Sequence, residues 1–313
     1  MKYIPSPIFY MGSKYRLLKQ LIPLFPKECD IFLDAFGGSG VVSMNYKGQK
    51  RTIYNEFNPM IYSLVKLFKD GNFSSIDKQI QQRIDAYNLV GGKARRYFKT
   101  EEEFLKDINA KKERYNKFRK DYNSNKKSIL DLYILSIFSC NHLIRFNQNG
   151  EFNTSFGCGC VYNDTLKNKI KNGINSMGGG LELSNNDFFN LDLDFLTSGS
   201  FIYLDPPYSN TNASYNEKGK FSQDWSIEKD FKLFSVLEEL DKKGIKWGLS
   251  NVFENRGIKN EHLIEWCEKN NYSAIHLKSN YSPFSRGGSN SDEVYICNYE
   301  VKIDEIKNNE TNK

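Results

Sequence analysis

The chain has 313 residues, with 44 Lys and Arg against 38 Asp and Glu, a formal net charge of +6 and a pI near 8.8. That length can bury a full α/β core and still carry an inserted module of roughly a hundred residues. Six scattered cysteines exclude a disulfide scaffold, and only Cys158 and Cys160 lie close together, with no second pair to complete a zinc site.

The N-terminus, Met-Lys-Tyr-Ile-Pro-Ser-Pro, lacks the apolar core of a secretion signal. A reduced, cytoplasmic chain is expected, without metal or membrane attachment, as a monomer or weak dimer. A helix-like stretch follows over 14–24. Asp30-Ile31-Phe32-Leu33-Asp34 then reads as a buried strand entering Ala35-Phe36-Gly37-Gly38-Ser39-Gly40. A second strand over 51–55 ends at Glu56. Asn58 and Pro59 resemble an N-cap and first helical position, and Ile61, Leu64, Val65 and Phe68 follow at helical spacing.

From 71 to 175 the strand–helix alternation stops. Between Gly91 and Lys127 there are 13 Lys and Arg against 6 Asp and Glu, an excess of +7 that suits a polyanion partner or a solvated, ion-paired helix. Phe104, Ile108, Tyr115, Phe118 and Tyr122 fall along one side of this helical region. The apolar run 129–144 is interrupted by Asp131, Ser136, Ser139, Asn141 and His142. It is too short and too polar to span a bilayer, and Ser128 with Asp131 marks a capping box. The region closes in Arg145-Phe-Asn-Gln-Asn-Gly-Glu-Phe-Asn153, whose Asn-Gly between short aromatic runs predicts a hairpin.

Alternation resumes with a strand over 181–183 and a second over 201–204, leading into Asp205-Pro206-Pro207-Tyr208. A helix capped at Ser226, with Phe231, Phe234 and Leu237 inward, precedes a strand over 246–249. A helix around 263–267 and strands over 273–277 and 293–299 close the chain. The predicted architecture is an open, mainly parallel α/β sheet with an antiparallel closing strand. Residues 1–70 and 176–302 form its body, 71–175 a mainly helical insertion, and 303–313 a polar tail.

In such a sheet, ligands bind beyond the carboxyl ends of the strands. The glycine loop would let backbone approach a ligand there, and Asp34 would accept a hydrogen bond from a ligand ammonium group. Alone, the loop also fits a plain strand-to-helix turn. Glu56 is placed to accept from ribose hydroxyls or to cap the helix entry. The tetrapeptide makes a sharper demand. An aromatic amine is a poor nucleophile because its lone pair is delocalised into the ring. Accepting hydrogen bonds from both amine protons, on the Asp205 carboxylate and the Pro206 carbonyl, favours a pyramidal nitrogen with that pair free. The prolines stiffen the turn, and Tyr208 offers a stacking face for a flipped base. His142, His262 and His276 show no metal spacing. No Pro-Cys pair exists for covalent attack on cytosine carbon, and no Ser-His-Asp set is suggested.

With these residues in hand, the chain resembles the Dam-like, D12 class of adenine-specific DNA methyltransferases from about Pro7 to Tyr299. The likeness rests on Tyr10-Met-Gly-Ser-Lys14, Asp34 to Gly40, Asn55-Glu-Phe-Asn58, Arg145 to Gly157, Asp205 to Tyr208, and Ser285-Arg-Gly-Gly with Asp292 to Tyr299. It implies a class I, Rossmann-like methyltransferase fold, S-adenosylmethionine as cofactor and double-stranded DNA as partner. The activity implied is methyl transfer to adenine N6 after base flipping, within a restriction–modification system. Tyr10, Lys14, Asp34, Phe36, Gly37, Gly38, Gly40 and Glu56 would line the cofactor, Lys14 through its methionine carboxylate. Asp187 and Phe188 would hold its adenine, and Asp205 would lie between cofactor and target. Arg145, Phe146, Asn147, Asn149, Asn153, Ser285 and Arg286 would face DNA, Phe146 as a wedge entering the duplex. Competing expectations are an RNA adenine or protein glutamine amide as acceptor, or a non-catalytic DNA-binding module.

Overall fold

A computed structural model of the chain describes residues 3–91, 93, 95–124, 128–157, 161–178, 180–209, 220–221, 225–278 and 291–301. The strands are β1 (Cys29–Asp34), β2 (Gln49–Asn55), β3 (Leu181–Ser184), β4 (Phe201–Leu204), β5 (Lys246–Asn255), β6 (Ile258–Lys259), β7 (Ser273–Leu277) and β8 (Ser291–Cys297). They form one sheet in the order β3-β2-β1-β4-β5-β8-β7, with β6 paired to the end of β5. The first five of that order run parallel, and β8 is antiparallel to both β5 and β7. The mainly parallel sheet with an antiparallel closing strand is therefore as expected.

Sheet order reverses between β1 and β4, which opens a crevice at their carboxyl ends. Register fixes what faces it. Asp34 pairs with Tyr54 on one side and Tyr203 on the other, so Glu56 and Asp205 both emerge two residues beyond that line. Side-chain alternation divides the core. Leu33, Ile202, Leu204, Trp247, Leu249 and Ile296 point to one face, whereas Phe32, Phe201, Tyr203 and Tyr295 point to the other.

The helices are α1 (Leu18–Leu21), α2 (Val41–Asn45), α3 (Pro59–Asp70), α4 (Phe73–Tyr87), α5 (Glu101–Ser124), α6 (Ile129–Phe138), α7 (Asp164–Met177), α8 (Ile227–Lys242) and α9 (Glu261–Asn270). The stretch 14–24 is not one helix. It breaks into a 3₁₀ turn, α1 and a second 3₁₀ turn containing Pro23. Asn58 caps α3 as expected, its Oδ1 accepting from the Met60 and Ile61 amides. Ser128 caps α6 through the Asp131 amide. Leu64, Val65 and Phe68 of α3 join Ile76 and Ile80 of α4, Tyr115 and Phe118 of α5, the whole apolar body of α6, and Ile170 of α7 in one continuous cluster.

Two further details differ from what the sequence predicts. Phe231 is 53% exposed, while Asp230 turns inward with Leu233, Phe234, Leu237 and Leu240. The inward stripe of α8 thus begins on a carboxylate, and a pattern built on apolar residues alone selects the wrong neighbour. Ser226 stands at the N-cap of α8, but its hydroxyl bonds no helix amide.

Candidate active site

Tyr54, the penultimate residue of β2, lies beneath the glycine loop. Its hydroxyl donates to the Gly38 carbonyl at 2.7 Å, and a Cβ added to Gly37 would stand 2.1 Å from the ring. Gly38 adopts φ +50°, and a Cβ there would sit 2.9 Å from the Tyr10 ring. Only glycine lets backbone run between these two aromatic rings. Asn55 anchors the neighbouring turn: its Nδ2 donates to the Ala35 and Asn186 carbonyls, and its Oδ1 accepts from the Asn186 amide.

Two buried acids face this loop. Asp34 Oδ2 accepts from the Ser43 hydroxyl at 2.6 Å and the Ser43 amide at 3.2 Å. Its Oδ1 is buried and has no hydrogen-bond partner among the described residues. Burial pushes the Asp34 carboxyl up to about 7, against the Ser43 bonds and with a further push from Asp205. Glu56 accepts from the Gly38 amide at 2.9 Å and the Asn58 amide at 2.7 Å. Burial likewise pushes it up to about 7, with those amides opposing and Asp34 adding to the rise.

At the end of β4, Asp205 Oδ1 meets the Lys14 ammonium at 2.7 Å and accepts from the Tyr208 hydroxyl at 3.0 Å. The Lys14 nitrogen lies 5.3 Å from the centre of the Tyr208 ring. Burial alone would lower the lysine's pKa. Asp205, followed by Tyr203 and Glu293, outweighs it and holds the ammonium above its ordinary value. The ion pair joins the Tyr10-to-Lys14 segment to the tetrapeptide across the crevice.

A cavity of about 570 Å³ unites these groups. Tyr10, Lys14, Asp34, Phe36, Gly37, Gly38, Glu56, Asp205, Pro206, Pro207 and Tyr208 all line it, as do Arg145 and Phe146 from the hairpin. Gly40, Asp187 and Phe188 are not among its lining residues. Gly40 begins α2 with φ +72°. Asp187 accepts from the Phe189 amide at 3.0 Å, and Phe188 is buried with its ring 5.1 Å from Phe36, supporting the cavity wall from behind.

The Arg145-to-Asn153 segment does reverse as a hairpin. Phe146 and Phe152 form a bridge, the Gly150 amide donates to the Asn147 carbonyl, and Arg145 Nε donates to Asn153 Oδ1 at 2.8 Å. Asn147 is held by Glu151 at both ends of its side-chain amide. Phe146 is only 6% exposed, its ring edge-on to Phe152 and Phe221. Gln148 and Asn149 are the exposed residues at the tip. Ser285, Arg286, Cys158 and Cys160 lie outside the described residues.

Other cavity residues escaped the sequence reading. His142 stacks on Phe9 with ring centres 4.0 Å apart, and Lys169 from α7 covers Phe9 at 4.6 Å. Burial draws the Lys169 ammonium down to about 8. Asn141 and His142 both take positive φ, which turns the chain after α6 and brings the imidazole over Phe9. No local sequence pattern announces that stack. Tyr54, which supports the glycine loop from beneath, was legible in principle, as a large residue at the buried end of a strand.

Comparison with known proteins follows the same residues. A model of the D12 class N6 adenine-specific DNA methyltransferase family matches residues 10–282. The chain is 36% identical to modification methylase StsI of Streptococcus sanguinis, over 98% of this chain and 45% of that protein. It is 34% identical to type II methyltransferase M.FokI of Planomicrobium okeanokoites, over 95% of this chain and 43% of that protein. Identity to the DNA adenine methylase of Escherichia coli K12 is 26%, over 77% of this chain and 78% of that protein. The chain spans less than half the length of the first two relatives.

Proposed function

The chain belongs to the D12 class N6 adenine-specific DNA methyltransferase family, and on that premise we propose that it transfers a methyl group from S-adenosylmethionine to the N6 amino group of adenine in duplex DNA. One observation carries this reading: Asp205 to Tyr208 share a single cavity with the glycine loop, Asp34 and Glu56. A tetrapeptide suited to an exocyclic amine therefore faces a pocket suited to a charged, nucleoside-containing donor.

The residues present fit that donor. The unpartnered Asp34 Oδ1 is a buried acceptor for an ammonium group, and Lys14 supplies a cation for a carboxylate. Glu56 retains lone pairs for ribose hydroxyls beside its two amide bonds, and Gly37 and Gly38 bring side-chain-free backbone to the same cavity. When bound, S-adenosylmethionine supplies an activated methyl group on a sulfonium. The chain's task is then to orient the acceptor. Asp205 and the Pro206 carbonyl accept hydrogen bonds from the two N6 protons, freeing the nitrogen lone pair, and Tyr208 stacks on the extrahelical base. Lys14 and the Tyr208 hydroxyl fix the carboxylate before the base arrives, so little reorganisation remains at the moment of reaction.

Segment 71–175 serves, in this reading, as the target-recognition region. Its support is the excess of +7 between Gly91 and Lys127 and the exposed Gln148 and Asn149 above the cavity-lining Arg145. Incubation with methyl-tritiated S-adenosylmethionine, duplex DNA and structured RNA tests the whole. Label recovered as N6-methyladenine in duplex DNA is expected. Label in methylcytosine, or preferential labelling of RNA, would contradict the reading.

A further inference from the structure

One buried acid outside the cavity has no part in the mechanism above. Asp230 sits in the first turn of α8, 1% exposed, where the helix pattern calls for an apolar residue. Three donors from separate parts of the chain converge on it. The Ser209 hydroxyl and His262 Nε2 (2.9 Å, from α9) meet Oδ2, and the Trp225 indole N–H donates to Oδ1 at 2.8 Å. A carboxylate is the one side chain of this size that accepts from all three at once.

Two of these donors bracket the stretch that follows the tetrapeptide. Ser209 is the residue after Tyr208. Trp225 is the last residue but one before α8, and its ring meets Phe36 of the glycine loop edge-on at 5.6 Å and stacks on Phe189 at 5.9 Å. Asp230 thereby ties the backbone carrying Tyr208 and Asp205 to the aromatic wall behind the cofactor loop. It does so from a helix packed rigidly on the sheet through Leu233, Phe234 and Leu237.

We propose that Asp230 is a positioning residue for methyl transfer, its buried carboxylate holding Ser209 and Trp225 so that Asp205 and Tyr208 keep register against the glycine loop. This rests on the methyltransferase reading. It assigns Asp230 no contact with cofactor or base. The carboxylate fixes a geometry, and the networked donors make that geometry unique.

The test compares Asp230→Ala, Ser209→Ala and Ser209→Thr with wild type in single-turnover methylation at saturating S-adenosylmethionine and DNA. The dissociation constants for both ligands are measured alongside. Ser209→Ala is expected to slow methyl transfer about tenfold and Asp230→Ala about a hundredfold, with both dissociation constants within about threefold of wild type. Ser209→Thr, which keeps the hydroxyl, is expected to retain the wild-type rate. The double variant Asp230→Ala/Ser209→Ala should be no slower than Asp230→Ala alone, because both remove the same tether. Losses that multiply in the double variant would overturn the proposal, as would a Ser209→Ala enzyme with wild-type rate. If Asp230→Ala does not fold, the Ser209 pair decides the matter. Wild-type protein that labels no DNA would instead refute the methyltransferase reading, and the tether's role with it.

Discussion

Asp34 and Glu56 line the cavity as acids that burial makes reluctant to ionise, each pushed up to about 7. In the ligand-free protein they hold protons that the unfolded chain would already have released. Their contribution to stability is therefore full below the ordinary carboxylate range and is lost as pH rises towards about 7. Ligand binding runs the other way. An ammonium group needs the carboxylate form of Asp34, so affinity for S-adenosylmethionine should fall as pH drops below 7. About a fivefold weakening is expected over the unit below pH 7, where an acid of that pKa goes from half to mostly protonated. Titration calorimetry at pH 6 in two buffers of different ionisation enthalpy should find proton release on binding, and Asp34→Asn should reduce it. Identical heats in both buffers would show that Asp34 is already ionised in the free protein.

Among the elements, the glycine loop and β2 act as one unit. Tyr54 fills the space under Gly37 and hydrogen-bonds Gly38, so a methyl group at position 37 has nowhere to go. Gly37→Ala should cost about 1–3 kcal/mol in denaturant unfolding and weaken cofactor binding by an order of magnitude or more. Tyr54→Phe, which removes only the bond to the Gly38 carbonyl, should cost about 0.5–1.5 kcal/mol. A Gly37→Ala protein with unchanged stability and affinity would mean that the loop is not held as described. The sequence made β1, its glycine loop and the α3 cap legible because each is a local pattern: an apolar run, glycines, then Asn-Pro. The start of α8 was not, since Asp230 owes its inward place to Ser209, Trp225 and His262, which lie 5 to 32 residues away. The burial of Phe146 was not legible for the same reason, since the ring packs on Phe221, which no spacing rule links to the hairpin.

Across the whole molecule, charge and core are distributed differently. Tyr115, Phe118 and Tyr122 bind the C-terminal half of α5 to the common core, while Lys112, Lys117 and Lys120 remain exposed along it. Replacing these three lysines with Gln should weaken binding to all DNA sequences alike. It should also flatten the slope of log affinity against log salt by about 0.9 for each phosphate no longer neutralised. An unchanged slope would remove α5 from the DNA-facing surface. The shared cavity of the glycine loop, Glu56 and Asp205 was legible in the sequence, because each stands at the carboxyl end of a parallel strand. The Phe9–His142–Lys169 stack did not, because it joins three segments that only the tertiary fold brings together.

The central claim, that Asp205 activates an exocyclic amine, is tested most directly by single-turnover methylation with Asp205→Ala. The variant's melting temperature and DNA affinity are recorded beside the rate. The account predicts a folded protein that binds DNA like wild type and forms N6-methyladenine at least about a hundredfold more slowly. A folded Asp205→Ala protein that methylates adenine at the wild-type rate would contradict it.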